Sequence, residues 1–148
     1  MDAPDLRAAP PRRWNIAVDG IVWLPRLIDK ARAYHAGTLG SYLFGQSPVD
    51  DSLLERVELA YGEFLALAVA QPSDDAVLAA LEARRPGTTE RLRRWSERLA
   101  LKQRRFLALI DWDDGYTGSP SVRALRPVLK PAVDAAMAVL KWYRPVRG

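Results

Sequence analysis

Cysteine is absent from this 148-residue chain, and histidine occurs once. The first absence removes disulfides, thiolate nucleophiles and cysteine-ligated metals, and opposes nothing in a cytoplasmic location, which is the location expected. The second excludes any metal site within one chain that needs two or more histidines. Long apolar runs are missing too: nothing approaches the roughly 18 residues of a membrane span. Alternating apolar and polar positions are scarce, which argues against a fold built on sheets. Phosphate-cradling glycine loops, dinucleotide fingerprints and a Ser-His-Asp constellation are also lacking, so no cofactor is expected.

What is present describes an ordinary globular chain, with 49% hydrophobic and 27% charged residues. The length favours one domain with its own core. Met1 to Arg13 contains three prolines and no apolar segment. It reads as a flexible tail, neither secretory signal nor anchor. The net charge of +4 is unevenly spread. Residues 84–105 hold nine Lys/Arg against Glu90 and Glu97, which leaves 13 Lys/Arg and 16 Asp/Glu elsewhere. A polarised charge distribution is a general hint of polyanionic partners.

The chain reads as one helix after another. Pro25 suits a first helical position, Leu24, Leu27, Ile28, Ala31, Tyr34 and His35 share an arc, and Gly37 and Gly40 supply a stop. Ser47-Pro48-Val49-Asp50 marks a second start, with Ser47 as cap and Asp50 as the capping-box acid. A third helix is expected over Tyr61 to Ala70, and Pro72-Ser73-Asp74-Asp75 opens a fourth. Thr88 or Thr89 can cap a fifth, uninterrupted by Pro or Gly as far as Ile110. Leu125 to Leu140 carries one apolar stripe on a last helix, kinked or started late by Pro127 and Pro131. The expected fold is therefore all-α, a compact bundle of five or six helices over residues 14–148, with 118–148 as a helical extension. Trp23, Trp95, Trp112 and Trp142 are expected anchors. The stripe makes a second copy of the chain a candidate partner.

Four groups of residues merit chemical attention. Arg26 and Lys30 sit four apart on the first helix, a like-charge pair that needs negative charge nearby. Asp29 serves that need only in part. One reading is an anion pocket of Arg26, Lys30 and Arg32 with Tyr34 or Tyr42. The other is an ion-pair network docking the helix onto Asp50, Asp51 or the 111–114 turn. On an unbroken helix, Arg91, Arg94, Arg98, Lys102 and Arg105 form a basic row that would suit a nucleic-acid backbone, with Trp95 at its edge for stacking. Arginine stems covering a core edge explain the same row without a ligand. Asp111, Asp113 and Asp114 precede Gly115, but the spacing is wrong for an EF-hand loop, and cationic partners such as Arg26 or Lys30 are the better expectation than a metal. His35 falls on an apolar arc, where a half-buried structural histidine is commoner than a general base.

The run Leu24-Pro25-Arg26-x-x-Asp29-Lys30-x-Arg32-Ala33, followed by Ala36-Gly37, Gly40, Tyr42 and Pro48-x-Asp50, resembles the bacterial family of domain of unknown function 5069. Weaker echoes follow in Ser73-Asp74-Asp75-x-Val77-Leu78, Trp95 and the acidic turn, so the likeness spans about residues 14–118. The resemblance also implies an Asn-Cys pair where this chain has Gln46-Ser47, and an acid where it has Ser41. Chemistry resting on that cysteine or carboxylate is not expected here. The leading expectation is a non-catalytic binding or adaptor domain that recognises a small anion or a protein through Arg26, Asp29, Lys30, Arg32 and Tyr42. A nucleic-acid-associated protein is the alternative. An enzyme comes third, because no nucleophile and base can be paired from the sequence. No membrane partner is expected.

Overall fold

Val18-Asp19-Gly20-Ile21 turns the chain back on itself. The computed structural model, which describes residues 3–45, 47–116 and 120–143, places a two-stranded antiparallel hairpin there. Strand β1 (Ala17–Val18) pairs with β2 (Ile21–Val22) in the register Ala17 to Val22 and Val18 to Ile21. Both turn residues have positive φ, 49° at Asp19 and 76° at Gly20. That is the mirror-image turn which matches strand twist and which Asp-Gly favours. The sequence reading missed this hairpin because two-residue strands are too short to show alternation.

Seven helices follow among the described residues: α1 (Leu24–His35), α2 (Pro48–Val57), α3 (Tyr61–Ala70), α4 (Asp74–Arg84), α5 (Thr88–Lys102), α6 (Arg104–Asp113) and α7 (Pro120–Tyr143). The mostly helical expectation holds, with more helices than expected. One extra arises because the run to Ile110 breaks at Gln103, whose φ of −108° and ψ of 21° leave the helical region. Its amide closes α5 on the Leu99 carbonyl, and its carbonyl accepts from Leu107 to open α6. No proline or glycine announces that break.

Helix α1 runs through the middle. It packs on α3 and the hairpin, while α2 packs on α5 and α7 lies on α6. Leu24, Leu27, Ile28, Leu53, Phe64, Val77, Leu92 and Trp23 form a fully enclosed core. Truncating Phe64 to Ala there would cost about 3–5 kcal/mol. Trp95 is buried as an anchor, Trp112 is half-buried, and the side chain of Trp142 lies outside the described residues.

The segment read as a flexible tail makes contacts with the rest of the chain, although Ala3, Asp5, Arg7, Ala8 and Ala9 are exposed. Leu6 is buried, and its amide donates to the Thr38 carbonyl at 2.9 Å. Gly40 (φ 62°) lets this segment close in, since a Cβ there would stand 3.1 Å from the Leu6 carbonyl oxygen. Arg12 grips Asp29 through its backbone amide and its guanidinium (2.8–3.1 Å), and also pairs with Asp74. Proline content suggested looseness, but one leucine and two arginines find buried partners.

The start signals were met unevenly. Ser73 Oγ caps α4 by accepting from the Ala76 amide at 3.1 Å. Ser47 makes no side-chain cap bond, and Asp50 faces the core instead of closing a capping box. At α5 the cap is neither threonine: Glu82 of the preceding helix accepts from the amides of Gly87 (2.6 Å) and Thr89 (2.8 Å). Helix α7 is assigned from Pro120 through both Pro127 and Pro131, not from a later start. Leu125, Val128, Leu129 and Val139 on it are exposed, while the side chains of Met137 and Leu140 lie outside the described residues. Among the described residues, no helix is long and apolar enough to cross a membrane.

Candidate functional site

Helix α1 looks amphipathic in sequence but is buried from Leu24 to Ala33, charged residues included. A charge withdrawn from water requires a partner, and each of the four charged side chains has one drawn from another element. Arg26 Nη1 donates to Asp114 Oδ2 at 2.6 Å and Nη2 to Oδ1 at 3.3 Å. Lys30 Nζ donates to Asp50 Oδ2 at 2.5 Å. Asp29 is taken by Arg12. Arg32 turns the other way, donating to the carbonyls of Ala68 (3.0 Å) and Gln71 (2.9 Å) at the C-terminus of α3, where a cation meets the negative end of the helix dipole.

The five residues of the expected anion face thus divide. Arg26, Lys30 and Tyr42 come together, whereas Asp29 and Arg32 lie in networks that fasten the N-terminal segment and α3. Trp23 organises the first group from the N-cap of α1. Its φ of 68° is strained for a bulky residue, a cost of about 1–3 kcal/mol that surrounding structure must offset. In that pose its Nε1 donates to Asp50 Oδ1 at 2.8 Å. Its ring is near two cations, with Arg26 Cζ 5.4 Å and Lys30 Nζ 5.5 Å from the centroid. The Tyr42 ring stands 5.8 Å from the same guanidinium.

These charges perturb one another. Burial pushes the Tyr42 hydroxyl up, and the Asp114 carboxylate to which it hydrogen-bonds pushes it further, so it stays protonated. Burial also lowers Lys30, with Arg26 adding to the effect and Asp50 and Asp114 opposing it. The net direction is downward, so the fold makes the ammonium easier to deprotonate.

Beside this cluster opens a cleft of about 380 Å³, within the size range of small-ligand sites. Trp23, Arg26, Lys30, Ser41, Tyr42, Leu43, Ser47 and Pro48 line one side. Phe106, Leu109, Ile110 and Asp113 of α6, with Val133 and Asp134 of α7, line the other. The lining is largely hydrocarbon, with polar side chains contributed from both sides. Arg26 contributes an unmet donor: its side chain is 4% exposed, yet its Nε has no hydrogen-bond partner among the described residues. Ser41 and Ser47, where the chain departs from the pattern it resembles, both lie on the lining.

The other candidates are placed plainly. Trp95 is buried, its Nε1 donating to Ser52 Oγ at 2.9 Å, so it offers no stacking face. Arg94 pairs with Glu90, and Arg91 folds onto Thr88 Oγ1 at 2.6 Å. Arg98 and Lys102 are exposed, but Arg105 belongs to α6 beyond the break, so the row is not continuous. The three acids each have a cation: Asp111 with Arg13 (2.6 Å), Asp113 with Lys130 (3.0 Å) and Asp114 with Arg26. Among the described residues, no group of three His, Cys, Asp or Glu is placed to hold a metal. His35 is exposed at the last position of α1, not half-buried. The sequence reading gave Asp50 as a capping-box acid and a docking partner and Trp23 as an anchor, and missed that the two organise the site together. A carboxylate early in α2 and a tryptophan just before Pro25 were visible, but nothing local shows that they meet.

A comparison with curated proteins gave no match. The family model described as Domain of unknown function (DUF5069) matches residues 8–108, so the chain belongs to that family.

Proposed function

We propose that this chain is a binding domain for a small, largely apolar molecule carrying one oxygen acceptor, held in the cleft between α1, the 41–48 segment, α6 and α7. The observation that carries the reading is Arg26, a cleft-lining residue whose buried Nε–H has no partner among the described residues. A buried donor left unpaired costs about 1–3 kcal/mol, which a ligand oxygen would recover. A carboxylate fits best, because Nε–H and the neighbouring Nη2–H present a parallel fork to two oxygens. Arg26 and Lys30 are already balanced by Asp114 and Asp50. A singly charged or neutral ligand is therefore favoured over a phosphate-rich one. The concave shape favours a small molecule over a flat protein partner.

Thermal unfolding against benzoate, phenylacetate, their amides, inorganic phosphate and short oligonucleotides tests this reading. At a hundred times its dissociation constant, a ligand adds about 2.7 kcal/mol, or roughly 5–10 °C for a domain of this size. The aryl carboxylates are expected to shift Tm, and phosphate is not. Leu109→Trp, at an exposed position on the cleft wall, should abolish the shift without unfolding the chain. A shift that survives this wall-filling change, or a panel silent throughout, refutes the reading.

A further inference from the structure

From sequence, no nucleophile could be matched with a base; the fold supplies the pair. Lys30 on α1 and Asp50 on α2 are 20 residues apart, yet Nζ and Oδ2 lie 2.5 Å from each other. Their side chains are 4% and 0% exposed. Trp23 Nε1 fixes the second Asp50 oxygen at 2.8 Å. This is the arrangement of a nucleophile, a base and a group that orients the base. Lys30 is also among the residues that line the cleft. Asp50 is the one hydrogen-bond partner of Nζ among the described residues, which leaves two of its three hydrogens uncommitted.

Residue choice adds a second argument. Of the 22 cationic residues only four are lysines, Lys30, Lys102, Lys130 and Lys141. The cation paired with Asp50 is thus one of the few in the chain that can lose a proton, which arginine cannot. The groups that face it are Asp50, Arg26 and Asp114, and burial with Arg26 prevails in lowering the ammonium.

We propose that Lys30 is an amine nucleophile that captures the carbonyl carbon of an aldehyde or ketone bound in the cleft. The ammonium first passes a proton to the Asp50 carboxylate. The freed nitrogen lone pair then forms the C–N bond while the C=O π electrons move to oxygen. One nitrogen proton moves to that oxygen and gives a carbinolamine. Asp50 returns its proton to the hydroxyl, which leaves as water as the nitrogen lone pair closes the C=N bond. The products are a protonated imine and one water, so neither oxidant nor reductant is consumed. The iminium faces the Asp50 carboxylate just as the ammonium did, so the buried charge balance is the same at both ends of the step.

This proposal rests on the cleft being a ligand site, and the test separates the two. The full-length wild-type chain is incubated at pH 7 with benzaldehyde and sodium cyanoborohydride, then followed by intact mass and peptide mapping. Lys30 is expected to acquire a benzyl group at least about tenfold faster than Lys102 or Lys130. Benzoate should slow that labelling while leaving Lys102 and Lys130 unaffected. Labelling of Lys30 no faster than Lys102, or only in denaturant, overturns the proposal. If benzoate still raises Tm in that case, the amine chemistry falls and the binding site stands. If it does not, both fall.

Discussion

Asp50→Asn is the most exacting perturbation of this fold, because it removes a charge while keeping shape. Wild-type Asp50 is fully enclosed and accepts from Trp23 Nε1 at 2.8 Å and Lys30 Nζ at 2.5 Å. The asparagine carbonyl can keep the indole bond, so the change isolates the stranded ammonium. Breaking one side of a buried pair costs about 3–5 kcal/mol, far more than the pair contributes over an apolar replacement. For a domain of this size that is a fall in Tm of roughly 6–20 °C. Burial already lowers Lys30 from its ordinary 10.5, and removing the carboxylate lowers it further. The folded state of the variant then binds fewer protons than the unfolded state over the window below 10.5, so its stability rises as pH rises through that window. The deficit should therefore shrink in alkaline buffer. Lys30→Met in the Asp50→Asn background removes the stranded charge, and the double variant should be more stable than Asp50→Asn alone. Urea unfolding of wild type, both singles and the double gives the cycle. An Asp50→Asn penalty under about 1 kcal/mol, or single effects that simply add, would refute the reasoning.

Two further outcomes follow from named contacts. Arg13, through its bonds to both oxygens, holds Asp111 below its ordinary 3.8; that contribution is present above pH 3.8 and lost as pH falls through the lowered folded value. Arg13→Gln should flatten this part of the acid limb, by no more than about 1 kcal/mol because Arg13 is substantially solvated, and an unchanged acid titration of stability would count against the pair. Arg32→Met leaves the Ala68 and Gln71 carbonyls without their buried donor, at an expected cost of about 2–4 kcal/mol; amide exchange should accelerate first in the last turn of α3, and uniform protection would contradict the clamp.

The sequence made the helices legible and the site only half so. Pro25, Pro48 and Ser73 carry local signals that act within one turn, and the starts of α1, α2 and α4 follow them. The break at Gln103 has no such signal, and it removes Arg105 from the basic row. The charged face of α1 drew attention by spacing alone, since Arg26 and Lys30 needed negative charge from somewhere. Which carboxylates would answer was not readable. Asp50 and Asp114 lie 20 and 88 residues from their partners, and only the tertiary fold brings them to α1. His35 shows the opposite error. Periodicity put it on the apolar arc, but His35 is exposed at the end of α1.

A saturated ion-pair network and an open cleft were alternatives at the level of sequence, yet the fold has both. Arg26 and Lys30 take part in both, since each is paired with a carboxylate and each lines the cleft. These pairs hold the Arg26 and Lys30 side chains while Arg26 Nε–H has no partner among the described residues, so on the proposed reading a ligand would meet donors already oriented and already neutralised. The two sides of the cleft also differ in origin. The lining residues from Trp23 to Pro48 lie inside the matched span 8–108, whereas Leu109, Ile110, Asp113, Val133 and Asp134 lie beyond it. On the proposed reading, Arg26 and its neighbours set which functional group is held, and the residues of α6 and α7 set what apolar body accompanies it. Substitutions at Val133 should change preference among aryl and alkyl carriers of one polar group, while substitutions at Arg26 should discriminate among polar groups on one carrier.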